Sequence, residues 1–297
     1  MKVVILAGGT GGAKLAVGFA AALPPEDLTV IANTGDDLDV WGVHVSPDVD
    51  AVLYRLAGIF DEERGWGIAD ESWAALGMMR RLGEPTWFQL GDRDLALHLL
   101  RTSLVRAGRR PAEAALEIGR RLGLKVPVLP ASDEPVRVTL DTDRGDLELQ
   151  EYLVRERCEP RLRGVRIDAA GGPSPEAGEA LATADLVVIG PSNPLISINP
   201  ILAVFRPPRE KTVAVSPIVG GESLKGPTVK MLRELGREAI PETVAGEYRD
   251  VASRFILDRQ DAERAGEIQA MGYGVQVADT VMGDAAAARR LAEAILA

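Results

Sequence analysis

Apolar residues along this chain fall into short unbroken runs, each followed by a polar or glycine-rich stretch. The first run, Met1-Lys-Val-Val-Ile-Leu-Ala7, is rich in β-branched residues and predicts a buried parallel strand. Gly8-Gly9-Thr10-Gly11-Gly12 follows it, and 13–22 reads as a helix. Leu28–Ala32 predicts a second strand, which ends in Asn33-Thr34-Gly35-Asp36-Asp37-Leu38-Asp39. Pro47–Ala57 reads as a helix whose first turn holds Asp48 and Asp50, where acidic side chains suit the dipole. From Asp61 to Lys125 the pattern is amphipathic and helical, with segments at 71–82, 95–107 and 111–122. That is too much helix for one crossover, so it predicts an inserted helical region. Val136–Leu140 and Leu147–Val154 predict a β-hairpin turning at 142–145.

Strand and helix alternate again from near Ser174, with strands at 185–189, 212–215, 255–257 and 275–277. Helices are predicted at 175–184, 228–235, 241–248, 259–271 and 284–296. The whole reads as one α/β domain with a mostly parallel sheet and helices on both faces. Its core spans about 1–60 and 174–297, with an insertion over about 61–173. Four polar or glycine-rich loops (8–12, 33–39, 190–199 and 216–227) each follow an apolar strand. Open parallel sheets bind ligands at the carboxyl edge of their strands, so these loops predict one composite site.

Composition narrows the partners. The 297 residues carry 34 basic and 44 acidic side chains, a net charge of −10, which argues against non-specific nucleic-acid binding. No apolar run reaches membrane-spanning length. A single cysteine, Cys158, and a start that already reads as a strand fit a reducing, cytoplasmic setting.

The glycine loop and the start of its helix suit a phosphate. A dinucleotide fingerprint on Gly9 and Gly11 needs a small residue where Lys14 stands. A Walker A loop counted from Gly8 lacks its last glycine and its hydroxyl. Lys14 reads either as a point charge for phosphate or as a solvated helix lysine. Asp36 and Asp37 also stand about where a ribose-binding acid falls in NAD enzymes, which leaves NAD as an alternative. Asp36, Asp37, Asp39, Asp48 and Asp50 read either as turn and cap chemistry or as a Mg²⁺ site beside the phosphate loop. His44 and His98 are isolated and read as structural.

Six segments occur in one order: Gly8–Gly12, Asn33-Thr34-Gly35-Asp36-Asp37, Ser46–Asp50, Leu90-Gly91-Asp92-Arg93-Asp94, Gly190–Ile198 and Ser216–Gly221. Together they resemble the 2-phospho-L-lactate transferase family of coenzyme F420 biosynthesis. Asp61–Trp73 and Thr86–Leu97 are similar to its bacterial branch, which the resemblance implies uses an enolpyruvyl donor. The implied fold is Rossmann-like with an inserted region, and the implied active form is a magnesium-dependent homodimer. The implied reaction joins the deazaflavin riboside Fo to a guanosine-diphospho-linked three-carbon acid, with release of GMP.

The resemblance implies that Gly9, Thr10, Gly11 and Gly12 cradle the donor phosphates. It implies that Asp36 and Asp50 meet the magnesium, with Asp37 in reserve, and that Asp50 also reaches the ribityl end of Fo. Asn33 belongs to the same substrate-binding loop. Ser192, Asn193 and Ser197 are expected on the guanosine side, and Asp92 and Arg93 beside Trp87 and Phe88 in the acceptor pocket. Gln89 departs from the basic residue that the resemblance implies for some archaeal members. A non-enzymatic alternative is a related group of nucleotide-sugar-binding regulators that share the GGTG loop; Asn33–Asp37 and Ser192-Asn193-Pro194 match the transferase pattern instead.

Overall fold

The computed structural model describes residues 1–223 and 225–297; Leu224, within the expected loop 216–227, lies outside the described residues. In chain order, β1 (Val3–Ala7) leads into α1 (Gly9–Ala22) and β2 (Leu28–Ala32). The short strands β3 (Leu38–Val40) and β4 (Val43–Val45) come next, then α2 (Pro47–Leu56). α3 (Ala74–Arg81), α4 (Asp92–Arg106), α5 (Pro111–Arg121) and β5 (Val128–Pro130) follow. Three further strands are β6 (Val136–Thr142), β7 (Gly145–Glu148) and β8 (Leu162–Ala169). The next elements are α6 (Pro175–Thr183), β9 (Leu186–Ile189), α7 (Asn199–Val204) and β10 (Thr212–Val215). After them come β11 (Ile218–Val219), β12 (Glu222–Ser223), α8 (Thr228–Glu234) and α9 (Pro241–Tyr248). β13 (Arg254–Asp258), α10 (Ala265–Ala270), β14 (Gly274–Ala278) and α11 (Ala285–Leu296) complete the described elements.

Seven strands form the main sheet in the order β14-β13-β10-β9-β1-β2-β5. All six pairings are parallel. The order reverses at β1: chain order runs outward through β2 and β5 on one side and through β9, β10, β13 and β14 on the other. This is the Rossmann arrangement with one strand added, and its topological switch point lies between β1 and β9. All five residues of β1 are buried, as the unbroken apolar run requires of a strand covered on both faces. Val3, Ile5 and Ala7 face a core shared with α1, α2, α5 and α11. Val4 and Leu6 face a second core with residues of α6–α10 and β6. Period-two alternation thus divides a uniformly apolar strand between two helical layers.

The inserted stretch departs from expectation in three places. β5 lies within it yet pairs with β2, so the main sheet draws its edge strand from the region read as an insertion. The hairpin has a third strand, β8, paired antiparallel to β6. The second hairpin strand stops at Glu148, and Glu151–Arg155 forms a wide π-helical turn where strand was expected. Tyr152 is buried in that turn, so the apolar residues that looked like a strand face serve the core from a helical backbone. The acidic loop also continues into an unanticipated hairpin, β3 with β4. The glycine stretch itself is helical from Gly9 onward, so most of the expected loop is the first turn of α1.

α1 packs lengthwise on α11, with Gly18 at the crossing. A Cβ on Gly18 would lie 2.2 Å from the Ala288 carbonyl oxygen. Gly18→Ala is therefore expected to lose about 1–3 kcal/mol through overpacking, despite alanine's better helix propensity. Gly77 in α3 has nothing within 4 Å of the same position, and Gly77→Ala should gain up to about 1 kcal/mol. Urea unfolding of the two variants should give opposite signs; equal signs would mean that the two helices do not cross at Gly18.

Candidate active site

The loops that leave β1 and β9 part at the switch point but remain in backbone contact. A Cβ on Gly11 would stand 2.0 Å from the Pro191 carbonyl oxygen, and one on Gly12 would stand 2.8 Å from the Ala7 Cα. These glycines let two loops touch, a structural demand that comes before any ligand. The Ser192 hydroxyl closes the seam by donating to the Gly8 carbonyl, and it lies 3.4 Å from the Gly8 amide. Asn193 accepts from the Leu195 amide at 2.9 Å and starts the wide turn that carries Ser197.

Over this seam opens a cleft of about 560 Å³, a size usual for a small-molecule site. Gly9, Thr10, Gly11, Lys14, Asn33, Asp36, Asp50, Ser192, Asn193 and Ser197 all line it, so one cavity unites the phosphate loop, the acidic loop and the β9 loop. Gly12 lies beneath that surface, packed on Ala7. No described helix is long and apolar enough to cross a membrane.

The acidic wall is the electrostatic centre. Asp48 accepts from the Gly9 amide at 2.5 Å and from Asn33 Nδ2 at 2.9 Å. It therefore occupies the first free amide of α1, while Thr10 and Gly11, whose amides lie too early in the helix for intrahelical partners, line the cleft. Burial pushes the Asp48 carboxyl up to about 6, against the opposing hydrogen bonds from Asn33 and Gly9. Asp36 is buried, accepts from Gln150 Nε2 at 3.2 Å through Oδ2, and has no partner for Oδ1 among the described residues. Burial first, then the neighbouring Asp48 and Asp37 charges, hold its carboxyl well above the usual carboxylate range. Asp37 turns to His44 Nε2, 3.2 Å away, and accepts from the Ser46 hydroxyl.

Asp50 is held differently. Arg101 in α4 donates to both of its oxygens, at 3.0 Å to Oδ2 and in a shorter bond to Oδ1. His98 Nδ1 lies 3.6 Å from Asp50, and His98 Nε2 lies 3.1 Å from Asp94, which accepts from the Tyr54 hydroxyl at 2.6 Å. His98, read as structural from sequence, is buried within this chain of polar groups and also borders the cleft. Its spacing from Arg101 and Asp94 on one helix face was the available signal; the contact with Asp50 was not visible in sequence.

Two carboxylates beside a phosphate site match what Mg²⁺ uses, since that ion takes one or two carboxylates and fills its shell with water and phosphate oxygens. The unpartnered Asp36 Oδ1 is the observation that fits a cation. Among the described residues no group of three or more His, Cys, Asp or Glu side chains is arranged to hold a metal unaided. The donor set is thus one that a phosphate ligand would complete.

Of the residues expected around the acceptor, the structure brings Phe88 to the cleft and sets the others apart from it. Trp87, Asp92 and Arg93 do not line the cleft. Asp92 accepts from the Ser72 hydroxyl and from the Ala74 and Ala75 amides, so it caps α3. Arg93 donates to the Ala69 carbonyl at 3.0 Å and borders a separate shallow depression. Trp87 packs edge-on against Phe88, with ring centroids 5.8 Å apart. The aromatic wall that does face the cleft is made of Tyr54, Phe60, Trp66 and Phe88.

Sequence comparison shows the family. The family model described as 2-phospho-L-lactate transferase CofD matches residues 3–292. The 2-phospho-L-lactate transferase of Methanosarcina mazei is 36% identical, covering 99% of both chains. That of Methanopyrus kandleri is 40% identical, over 100% of this chain and 97% of its own. The phosphoenolpyruvate transferase of Kitasatospora aureofaciens is 37% identical, again over 100% and 97%. Among solved structures, a UPF0052 family member from Bacillus halodurans superposes with a TM-score of 0.61 at 17% identity, covering 100% of this chain and 98% of its own, which shows a shared fold.

Asp36 tests the electrostatics directly. Its raised carboxyl value makes the ionised form costly in the folded state; the penalty is absent below the unfolded value near 4 and grows as pH rises. In metal-free buffer, Asp36→Asn should therefore raise the melting temperature by several degrees at pH 8 and by much less at pH 5. An equal shift at both pH values, or a lower melting temperature at pH 8, would refute the crowding of charge.

Proposed function

Because this chain belongs to the 2-phospho-L-lactate transferase CofD family, we propose that it transfers a phospho-three-carbon-acid group from a guanosine-diphospho-linked donor to the deazaflavin riboside Fo. GMP leaves, and the product is a phosphodiester on the route to coenzyme F420. The observation that carries the reading is Asp36, whose buried Oδ1 has no partner among the described residues, in the lining of the cleft that Thr10 and Gly11 also border. The nucleotide-sugar regulator is not favoured, since the curated relatives described above are named as transferases. NAD chemistry lacks its fingerprint, because Lys14 stands where a small residue is needed.

In this reading the Thr10 and Gly11 amides take the donor's pyrophosphate, helped by the positive end of α1. Ser192, Asn193 and Ser197 border the nucleotide end. Asp36 and Asp50 would hold Mg²⁺, with Asp37 and Asp48 beside them. The ion's contribution, when bound, is to offset negative charge on the pyrophosphate and the departing GMP. A carboxylate has about four lone-pair positions, so Asp50 can accept from Arg101 and still present an oxygen to the cleft. Asp50 then orients the terminal ribityl hydroxyl of Fo for attack on the phosphorus that bears the three-carbon acid, in line with the leaving oxygen. Arg101 and His98 fix that carboxylate from behind. The deazaflavin would lie along Phe60, Trp66 and Phe88. A homodimer is the form that the family resemblance implies, and the single cysteine, Cys158, fits a cytoplasmic setting.

Relatives named for phospholactate and for phosphoenolpyruvate are almost equally similar, so the donor acid is decided by assay. Mass spectrometry of reactions with Fo, magnesium and each donor should show one phosphodiester product and GMP. Asp36→Asn and Asp50→Asn should each lower its rate by roughly 100-fold or more at limiting magnesium. Absence of product from every donor, or full rates in both variants, would overturn the proposal.

A further inference from the structure

The cleft has a second charged wall, opposite in sign to the aspartate cluster. Lys14 in α1 donates to the Met282 carbonyl at 3.0 Å and lines the cavity. Lys225, from the segment before α8, lines it too. Its Nζ stands 3.1 Å from where a Gly65 Cβ would be, which sets it against the Gly65-Trp66-Gly67 loop. Arg55 of α2 is buried behind this wall, with its guanidinium carbon 3.7 Å from the ring centre of Phe60. Its Nη1 pairs with Glu62, while Nε and Nη2 have no partner among the described residues. Burial lowers the Lys14 ammonium from its ordinary value, and the Arg55 and Lys225 charges lower it further, against the pull of Glu62. Three cations, from α1, α2 and the segment before α8, therefore share one corner, and Glu62, the carboxylate paired with Arg55, has a side chain 61% exposed.

Arg55 has Glu62, but Lys14 spends its one hydrogen bond on a carbonyl, and among the described residues neither Lys14 nor Lys225 has an ion-pair partner. The donor's pyrophosphate already has the amino end of α1 and the aspartate wall. Lys14 lies three residues beyond Gly11, about 4.5 Å further along the helix axis, and helical side chains lean back towards the amino end. A second anionic group a few bonds from the pyrophosphate would meet this corner. On the transferase reading the donor carries one such group: the carboxylate of its three-carbon acid is bonded to the carbon whose oxygen holds the phosphorus.

We propose that Lys225 and Lys14, with Arg55 behind them, form the subsite for the carboxylate of the transferred three-carbon acid. The subsite makes the enzyme select donors by that carboxylate and is indifferent to whether the neighbouring carbon is saturated. It rests on the transferase reading above.

The test is calorimetric titration of the full-length protein with two esters of guanosine diphosphate in magnesium buffer. One is the lactyl donor, and the other is the isopropyl ester, in which a methyl replaces the carboxylate. Wild type should favour the lactyl donor by roughly tenfold or more, as one charge-assisted contact implies. Lys225→Ala, a change at an exposed position, should bring the preference within about threefold, through loss of lactyl-donor affinity with the isopropyl ester unaffected. Lys225→Arg should keep most of the preference, and Lys14→Met should reduce it while keeping the apolar stem. Equal weakening of both esters in Lys225→Ala, or an intact preference, would overturn the subsite. So would a wild type that binds both esters alike, and that result leaves the transferase reading standing. A wild type that binds neither ester would defeat the transferase reading and the subsite with it.

Discussion

The contact on which the site depends is backbone against backbone at the switch point. Gly11 and Gly12 let α1 begin directly against Pro191 and Ala7, closer than any side chain permits. The amides of the first helical turn and the loop after β9 thereby line one cavity instead of two. Ser192 adds the hydrogen bond that keeps the seam shut. The register places Leu6 beside Ile189 and Ala7 beside Ala32, so the loops after β1, β9 and β2 leave the sheet at the same level. The catalytic proposal requires that common level before any question of charge arises.

Charge then divides the cleft. Asp36 from the loop after β2 and Asp48 and Asp50 from the first turn of α2 line it together, with Asp37 outside the lining, and burial raises the cost of each ionised oxygen that lacks a partner. The protein partners Asp50 with Arg101, Asp37 with His44, and Asp48 with Gly9 and Asn33, and leaves one Asp36 oxygen unmatched. Opposite them stand Lys14 and Lys225, with Arg55 behind. An acidic wall and a cationic wall within one cavity favour a ligand that carries anionic groups at two points and brings a cation to one of them.

Much of this was legible in the primary structure. Five of the seven main strands announce themselves as apolar runs, because a parallel strand covered on both faces needs no polar alternation, and the edge strand β14 shows as the alternating Val275-Gln-Val277. β5 does not, since three residues ending in Pro130 are too short to carry a pattern. β8 alternates weakly, with charged residues on its open side, and its pairing with β6 slips at Asp141 and Thr142. The glycine loop, the acidic loop and the β9 loop were readable because each is local. Asp50 with Arg101 was not, because the partners are 51 residues apart. Asp92 and Arg93 misled for a related reason: an acid opening one helix can serve the amino end of another, as Asp92 does for α3, and nothing in the linear pattern separates that role from ligand contact.

The packing of α11 on α1 has a consequence for biogenesis. Thr280–Gly283 forms one rim of the cleft, and Met282 ties that rim to Lys14. The first helix made thus waits for the segment 280–296 before its apolar stripe is covered and the rim can close. A nascent chain released short of that point would leave the Gly18 face of α1 uncovered and would be a substrate for chaperones and proteases rather than a partly competent enzyme.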